Sequence, residues 1–158
     1  MELEEQQRKL IHLRQLSDDM QEEYLETIHL IYGEGNDFSV IRTLCYGLID
    51  DNPVYGNMEP VEELFSLIES FVKVDIRKYI LALFGSADVL MPHALSQLEA
   101  LFVRLLNRND TLATLKSILH ENEVQLLSNH QIVRSIYARA SSERHTNADD
   151  ILRLFENK

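Results

Sequence analysis

The chain of 158 residues has few of the residues that cross-link or interrupt a fold: one cysteine, three prolines and five glycines. Cys45 has no partner for an internal disulfide, and it lies in an apolar run from Ile41 to Ile49, which predicts a reduced core thiol. No apolar stretch approaches the roughly 20 residues that span a bilayer. The acidic, polar N-terminus does not resemble a signal peptide. We therefore predict a cytoplasmic protein that does not bind membranes.

Motifs that carry catalysis are also missing. The sequence has neither a Gly-x-Ser-x-Gly elbow nor a glycine-rich phosphate loop. Glu26 and His29 have the spacing of one half of a di-iron site, but a second Glu-x-x-His pair does not follow. A metalloprotein built on these two residues is an alternative to a surface glutamate beside a histidine at a helix edge. We predict a protein that is not an enzyme and has no cofactor, metal or small-molecule substrate.

Strand patterns are absent as well, because no segment sustains an alternation of apolar and polar residues. Apolar residues recur instead at a spacing of three and four, as at Tyr24, Ile28 and Ile31. The length is that of one ordinary domain. The sequence thus predicts a single all-α domain over residues 1–158, with eight or nine helices and no sheet.

Capping residues suggest where several helices begin and end. Ser17 is placed to cap a helix that ends at Gly33, and Asp75 a helix that ends at Gly85. Pro92 is placed to open the next helix, as Pro60 is to open an earlier one.

The caps recur along the chain. Asp37, Asp75 and Asp110 are separated by 38 and 35 residues, and each precedes a pair of helices. This spacing is typical of stacked antiparallel helical hairpins, as in HEAT-like repeats. An irregular helical bundle is the alternative architecture.

Charge is distributed unevenly between the two parts of the chain. The first 70 residues hold sixteen acidic and four basic side chains, whereas the remaining 88 hold ten acidic and eleven basic ones. Between Glu34 and Glu69, eight carboxylates accompany only Arg42. Such a field attracts a basic partner and repels nucleic acid. A solvated face that only keeps the protein soluble is the other interpretation.

We predict that the densest acidic segment is a docking surface for a basic protein. Its carboxylates would pair with lysine and arginine, and Tyr55 would supply apolar contact area. A tyrosine whose ring covers the core while its hydroxyl reaches water is the alternative. The predicted contact residues are Asp50, Asp51, Tyr55, Glu59, Glu62 and Glu63, with Glu34, Asp37 and Tyr46 at the edge.

Four segments in the middle of the chain resemble immunity protein family 30 of bacterial polymorphic toxin systems. The segments are Leu44-Cys-Tyr-Gly-Leu-Ile-Asp-Asp51, Glu63-Leu-Phe-Ser-Leu-Ile-Glu69, Tyr79-Ile-Leu-Ala-Leu83 and Arg104-Leu-Leu-Asn107. The resemblance covers about residues 40–120. The family pattern has a tryptophan in the helix before the Arg-x-Leu-Asn turn, and this chain has no tryptophan.

The resemblance implies a small all-helical protein that neutralises a cognate toxin delivered by contact-dependent inhibition. A nuclease toxin must be basic to bind phosphate, so an acidic inhibitor would suit it. A helical-repeat scaffold that binds some other protein is the alternative function.

Overall fold

The computed structural model describes residues 3–34, 37–49, 58–121, 124 and 127–157. This described part contains nine α-helices and no strand, which confirms the predicted all-α fold. Two short 3₁₀ turns, Phe71–Lys73 and Leu105–Asn107, follow the fourth and sixth helices. The helices are α1 (Leu3–Leu13), α2 (Gln21–Gly33), α3 (Ser39–Cys45), α4 (Glu59–Ser70), α5 (Ile76–Leu90), α6 (Leu95–Arg104), α7 (Asn109–His120), α8 (His130–Ser142) and α9 (Ala148–Glu156).

Local chemistry accounts for the starts of α4 and α5. Pro60 lies in the first turn of α4, where its missing N–H needs no partner. Asp75 caps α5, because its carboxylate accepts a hydrogen bond of 3.0 Å from the backbone N–H of Lys78. Both starts agree with the sequence prediction.

Four predicted helix boundaries were wrong. Asp110 does not cap α7, because α7 begins one residue earlier, at Asn109. Ser17 does not cap α2, which begins only at Gln21, and its buried hydroxyl has no hydrogen-bond partner among the described residues. Gly85 does not end α5, because the helix continues to Leu90. Pro92 lies in a turn, and α6 begins three residues later, at Leu95.

Tertiary packing explains two of these differences. Leu16 is buried and has a φ of 52°, so the chain turns sharply at this residue before α2 can start. Beyond Gly85, Ala87 and Leu90 continue the buried face of α5. Their burial outweighs the cost of about 1 kcal/mol that a glycine imposes inside a helix.

The helices form two layers. In one layer α1 contacts α3, α3 contacts α5, α5 contacts α7 and α7 contacts α9. In the other layer α2 contacts α4 and α6 contacts α8, while α4 and α6 lie on either side of one groove. Contacts between every second helix are what a stack of helical hairpins produces, so the structure favours this architecture over an irregular bundle.

The buried residues form one hydrophobic cluster that includes residues from all nine helices. Two buried tyrosines tie it to the backbone: Tyr24 donates a hydrogen bond of 2.7 Å to the carbonyl of Gly47, and Tyr137 one of 2.9 Å to that of Phe102. Cys45 is fully buried, as predicted, and burial raises the pKa of its thiol to about 12. Cys45 is therefore a packing residue.

Within the described ranges, no helix combines the length and the apolar composition that crossing a bilayer requires.

Candidate functional site

Helices α2 and α4 lie side by side and run in the same direction. Near their C-terminal ends, the hydroxyls of Tyr32 and Ser70 are 2.9 Å apart. At the other end, the first residues of the two helices, Gln21 and Glu59, line the same groove. We call this space, of about 530 Å³, the α2–α4 groove.

The α2–α4 groove is lined by one side chain per turn of α2. Its α2 wall consists of Gln21, Leu25 and His29, which are four residues apart. Across the groove, His29 Nε2 lies 3.0 Å from Glu63 Oε1. This contact joins α2 and α4 across the groove.

Five carboxylates border this groove and form what we call the acidic face. Three are on α4 and line the groove directly. The other two are exposed residues of α2, and each follows a groove-lining residue, about 100° further around the helix on its solvent side. The acidic face consists of Glu22, Glu26, Glu59, Glu62 and Glu63.

Most of the acidic face is not neutralised by the chain's own cations. Glu22, Glu26 and Glu62 are exposed and have no ion pair or hydrogen bond in the part of the chain that the structure describes. Carboxylates of the second half are instead largely paired. Examples of pairs, with their N–O distances, are Glu99 with Arg139 (2.7 Å), Glu121 with Arg77 (2.6 Å), Asp110 with Arg108 (2.6 Å) and Glu156 with Arg134 (3.3 Å).

The structure places Glu34 away from the other predicted contact residues on α4. Glu34 follows the C-terminal end of α2, where its Oε1 accepts a hydrogen bond of 3.2 Å from Gln6 Nε2 on α1. Because α2 and α4 are parallel, Glu34 and Glu59 lie at opposite ends of the pair.

Asp37 belongs to a different groove, between α3 and α5, which Val74 and Lys78 also line. The backbone N–H of Ser39 donates a hydrogen bond of 3.0 Å to the Asp37 carboxylate and lowers its pKa. Asp37 therefore acts at the start of α3 rather than on the acidic face.

Tyr46 is half-buried beside the guanidinium of Arg42. Arg42 donates hydrogen bonds of 2.7 and 3.0 Å to the two carboxylate oxygens of Asp88 on α5, and another to the carbonyl of Gly85. The only basic residue of the acidic segment is thus held by α5 and does not pair with Glu22, Glu26 or Glu62. Asp50, Asp51 and Tyr55 lie outside the described residues, and their role in binding stays a prediction.

Another groove, of about 400 Å³, lies between α4 and α6, on the other side of α4 from the α2–α4 groove, and we call it the α4–α6 groove. Glu62 and Ser66 line both grooves, so they form the ridge that separates them. At one end Arg104 pairs with Glu69 at 2.9 Å, and its guanidinium lies 4.8 Å from the centre of the Phe65 ring.

Gln97 is a buried polar residue of the same groove. Its Nε2 donates a hydrogen bond of 2.6 Å to the carbonyl of Ile49. Its Oε1 is buried and has no hydrogen-bond partner among the residues that the structure describes. A buried acceptor without a donor is uncommon in folded proteins.

Glu26 and His29 do not form part of a metal site in the described ranges, where no group of three or more potential ligands occurs. His29 contacts Glu63 instead, and Glu26 is exposed.

Sequence reasoning missed three residues of this region. Glu22 and Glu26 are four residues apart and lie opposite the buried side of α2, a spacing that marks one exposed face. Gln97 gave no signal, because a polar residue within an apolar helix pattern does not reveal whether it is buried.

Comparison of the chain with known proteins finds no matching family model, no matching curated protein and no matching solved structure.

Proposed function

We propose that this protein is an immunity protein that binds and neutralises a basic toxin domain through the acidic face. One observation carries the proposal: Glu22, Glu26 and Glu62 are exposed and have no ion pair within the described ranges. Unpaired carboxylates gathered on one surface attract a basic protein and speed its association.

A nuclease domain is the partner that suits this surface best. Nucleases need basic surfaces to bind the phosphate backbone, and an acidic protein can occupy such a surface. The resemblance to immunity protein family 30 supports a toxin as the partner. In this proposal the protein acts in the cytoplasm, by stoichiometric binding and without catalysis.

A helical-repeat scaffold for another protein is the second candidate. The two-layer stack favours it, because repeat proteins of this kind use their extended surfaces to bind partners.

Co-expression with the product of the adjacent reading frame tests the proposal. Cells that express this product as a toxin should survive when the wild-type chain is present. The double variant Glu22→Lys/Glu62→Lys should protect at least about tenfold less, because two attractive charge pairs become repulsive.

The matched control is Glu4→Lys/Glu5→Lys on α1, which changes the net charge equally at two exposed positions outside the acidic face. This control should protect almost as well as the wild type. Equal loss of protection in both double variants would mean that total charge, rather than the acidic face, governs binding. A harmless reading-frame product that still binds the chain would favour the scaffold.

A further inference from the structure

At two heights along the α4–α6 groove, which we call levels, one side chain of α4 is matched with one side chain of α6. At one level Glu69 on α4 pairs with Arg104 on α6 at 2.9 Å. Seven residues earlier on each helix are Glu62 and Gln97, which line the same groove. Seven residues are close to two helical turns, so each earlier residue faces the same side of its helix, about 10 Å away.

The two levels differ in what α6 contributes. Where Arg104 supplies a cation to Glu69, Gln97 supplies a neutral amide whose N–H is already donated to the Ile49 carbonyl. In the described part of the chain, neither the Glu62 carboxylate nor Gln97 Oε1 has a hydrogen-bond donor. This level therefore presents two acceptors, one exposed and charged, the other buried and neutral.

Apolar side chains separate the two levels. Phe65 and Ala100 lie between the two levels, Val61 borders the Glu62 level, and the guanidinium of Arg104 already lies over the Phe65 ring. Arg104 thus shows which kind of side chain suits this groove: one with an apolar stem and a cationic head that lies beside a carboxylate.

We propose that the Glu62 level of the α4–α6 groove receives one lysine side chain of the basic partner, an inference that rests on the proposed function. The methylene stem lies against Val61 and Phe65. The ammonium group donates to the Glu62 carboxylate, and the side chains that cover Gln97 Oε1 must shift for this buried oxygen to accept as well. Lysine suits this level better than arginine, because a compact ammonium directs three donors at separate acceptors, whereas a guanidinium fork prefers a single carboxylate.

A titration of the ¹⁵N-labelled full chain followed by NMR tests this proposal. The probe is Nα-acetyl-lysine N-methylamide, and its uncharged counterpart is Nα-acetyl-norleucine N-methylamide. The lysine probe should cause saturable shifts of the Gln97 side-chain amide and of the Phe65 and Ala100 backbone amides, and the norleucine probe should not. Glu62→Gln should weaken the lysine response by up to about fivefold, whereas the charge-matched control Glu5→Gln, at an exposed position of α1 outside the acidic face, should leave it unchanged. Equal responses to both probes, or a lysine response that Glu62→Gln does not weaken, would overturn the proposal.

Binding of the adjacent reading-frame product separates this inference from the proposed function. If the product binds but the lysine probe leaves the groove unchanged, the lysine site is wrong and the immunity function stands. If the lysine probe saturates the groove but the product neither binds nor kills, the site is supported and the immunity function fails.

Discussion

Asp88 ties three helices together through one carboxylate. It lies on α5, accepts two hydrogen bonds from Arg42 on α3, and accepts one of 2.9 Å from Asn129 at the start of α8. Asn129 adopts a φ of 67°, which asparagine tolerates better than most residues. The hydrogen bonds from Arg42 are the main reason that the pKa of Asp88 lies below its usual value.

The stability contributed by Asp88 should depend on pH. Because its pKa is lowered in the folded state, its contribution is present above the unfolded pKa and is lost as the pH falls through the folded value. We expect Asp88→Asn to cost about 1 kcal/mol or less at pH 7, since the side chain is 45% exposed and solvent screens the pair. Urea unfolding at a series of pH values measures the difference from the wild type.

The difference in unfolding free energy should shrink as the pH falls below 3.8, the ordinary pKa of an aspartate side chain. Glu143→Gln removes an exposed pair with Arg139 and should have little effect at any pH. A cost of Asp88→Asn that stays constant down to the acid limit would show that shape rather than charge matters at this position.

Two glycines differ in the space that a Cβ atom would have. Gly85 lies inside α5, and a Cβ built there meets nothing within 4 Å. At Gly47, just after α3, a Cβ would lie 3.2 Å from both δ-methyls of Leu10 and from the carbonyl oxygen of Leu44.

Alanine substitutions at these two positions should therefore change the stability of the fold in opposite directions. Gly85→Ala should stabilise the protein by about 0.5–1 kcal/mol, because it restricts the unfolded chain and raises helix propensity without a clash. Gly47→Ala should destabilise it, because Leu10 would have to move within a packed core. Thermal unfolding measures both, with Gly33→Ala, at an equally open position at the end of α2, as the control. Destabilisation by Gly85→Ala would contradict the idea that packing, not glycine, determines the length of α5.

Helix positions could be predicted from the sequence where the deciding interaction is local. Pro60 and Asp75 act within their own first turns, and the starts of α4 and α5 were predicted correctly. Gly85 was misread as an end because the burial that continues α5 comes from other helices. Likewise Leu16, whose conformation delays the start of α2, gives no sign of its turn in the sequence pattern.

The site could be predicted only in part, because contacts between distant parts of the chain determine which of its residues lie together. The acidic excess was evident from composition, and Glu62 and Glu63 do lie on the acidic face. The sequence does not show which helices become neighbours, so Glu34 was grouped with residues at the opposite end of the α2–α4 pair. Arg42 and Asp88 are 46 residues apart, and no local pattern links them.

Across the whole molecule, charge is separated into an acidic first part and a nearly neutral second part whose carboxylates are largely paired. A field of this kind acts at a distance on an approaching basic protein. Salt screens such long-range attraction more than it weakens the short-range contacts that hold two proteins together, so this charge should affect association more than dissociation.

Binding of the adjacent reading-frame product should therefore depend on salt mainly through the association rate. We expect that rate to fall about tenfold from low to physiological ionic strength, with little change in dissociation. Stopped-flow mixing measures it. Glu22→Gln/Glu26→Gln should slow association more than Glu4→Gln/Glu5→Gln does, although both remove the same charge. An association rate insensitive to salt would mean that the acidic half does not guide the partner.

Helix α4 is the common wall of two grooves, because Glu62 and Ser66 face both. A substitution of a groove-lining residue on α2 or α6 alters one groove and leaves the other intact, but a substitution at Glu62 alters both grooves. For the proposed basic partner, affinity could then be adjusted at one groove through α2 or at the other through α6, whereas a change in the α4 wall would disturb both contacts.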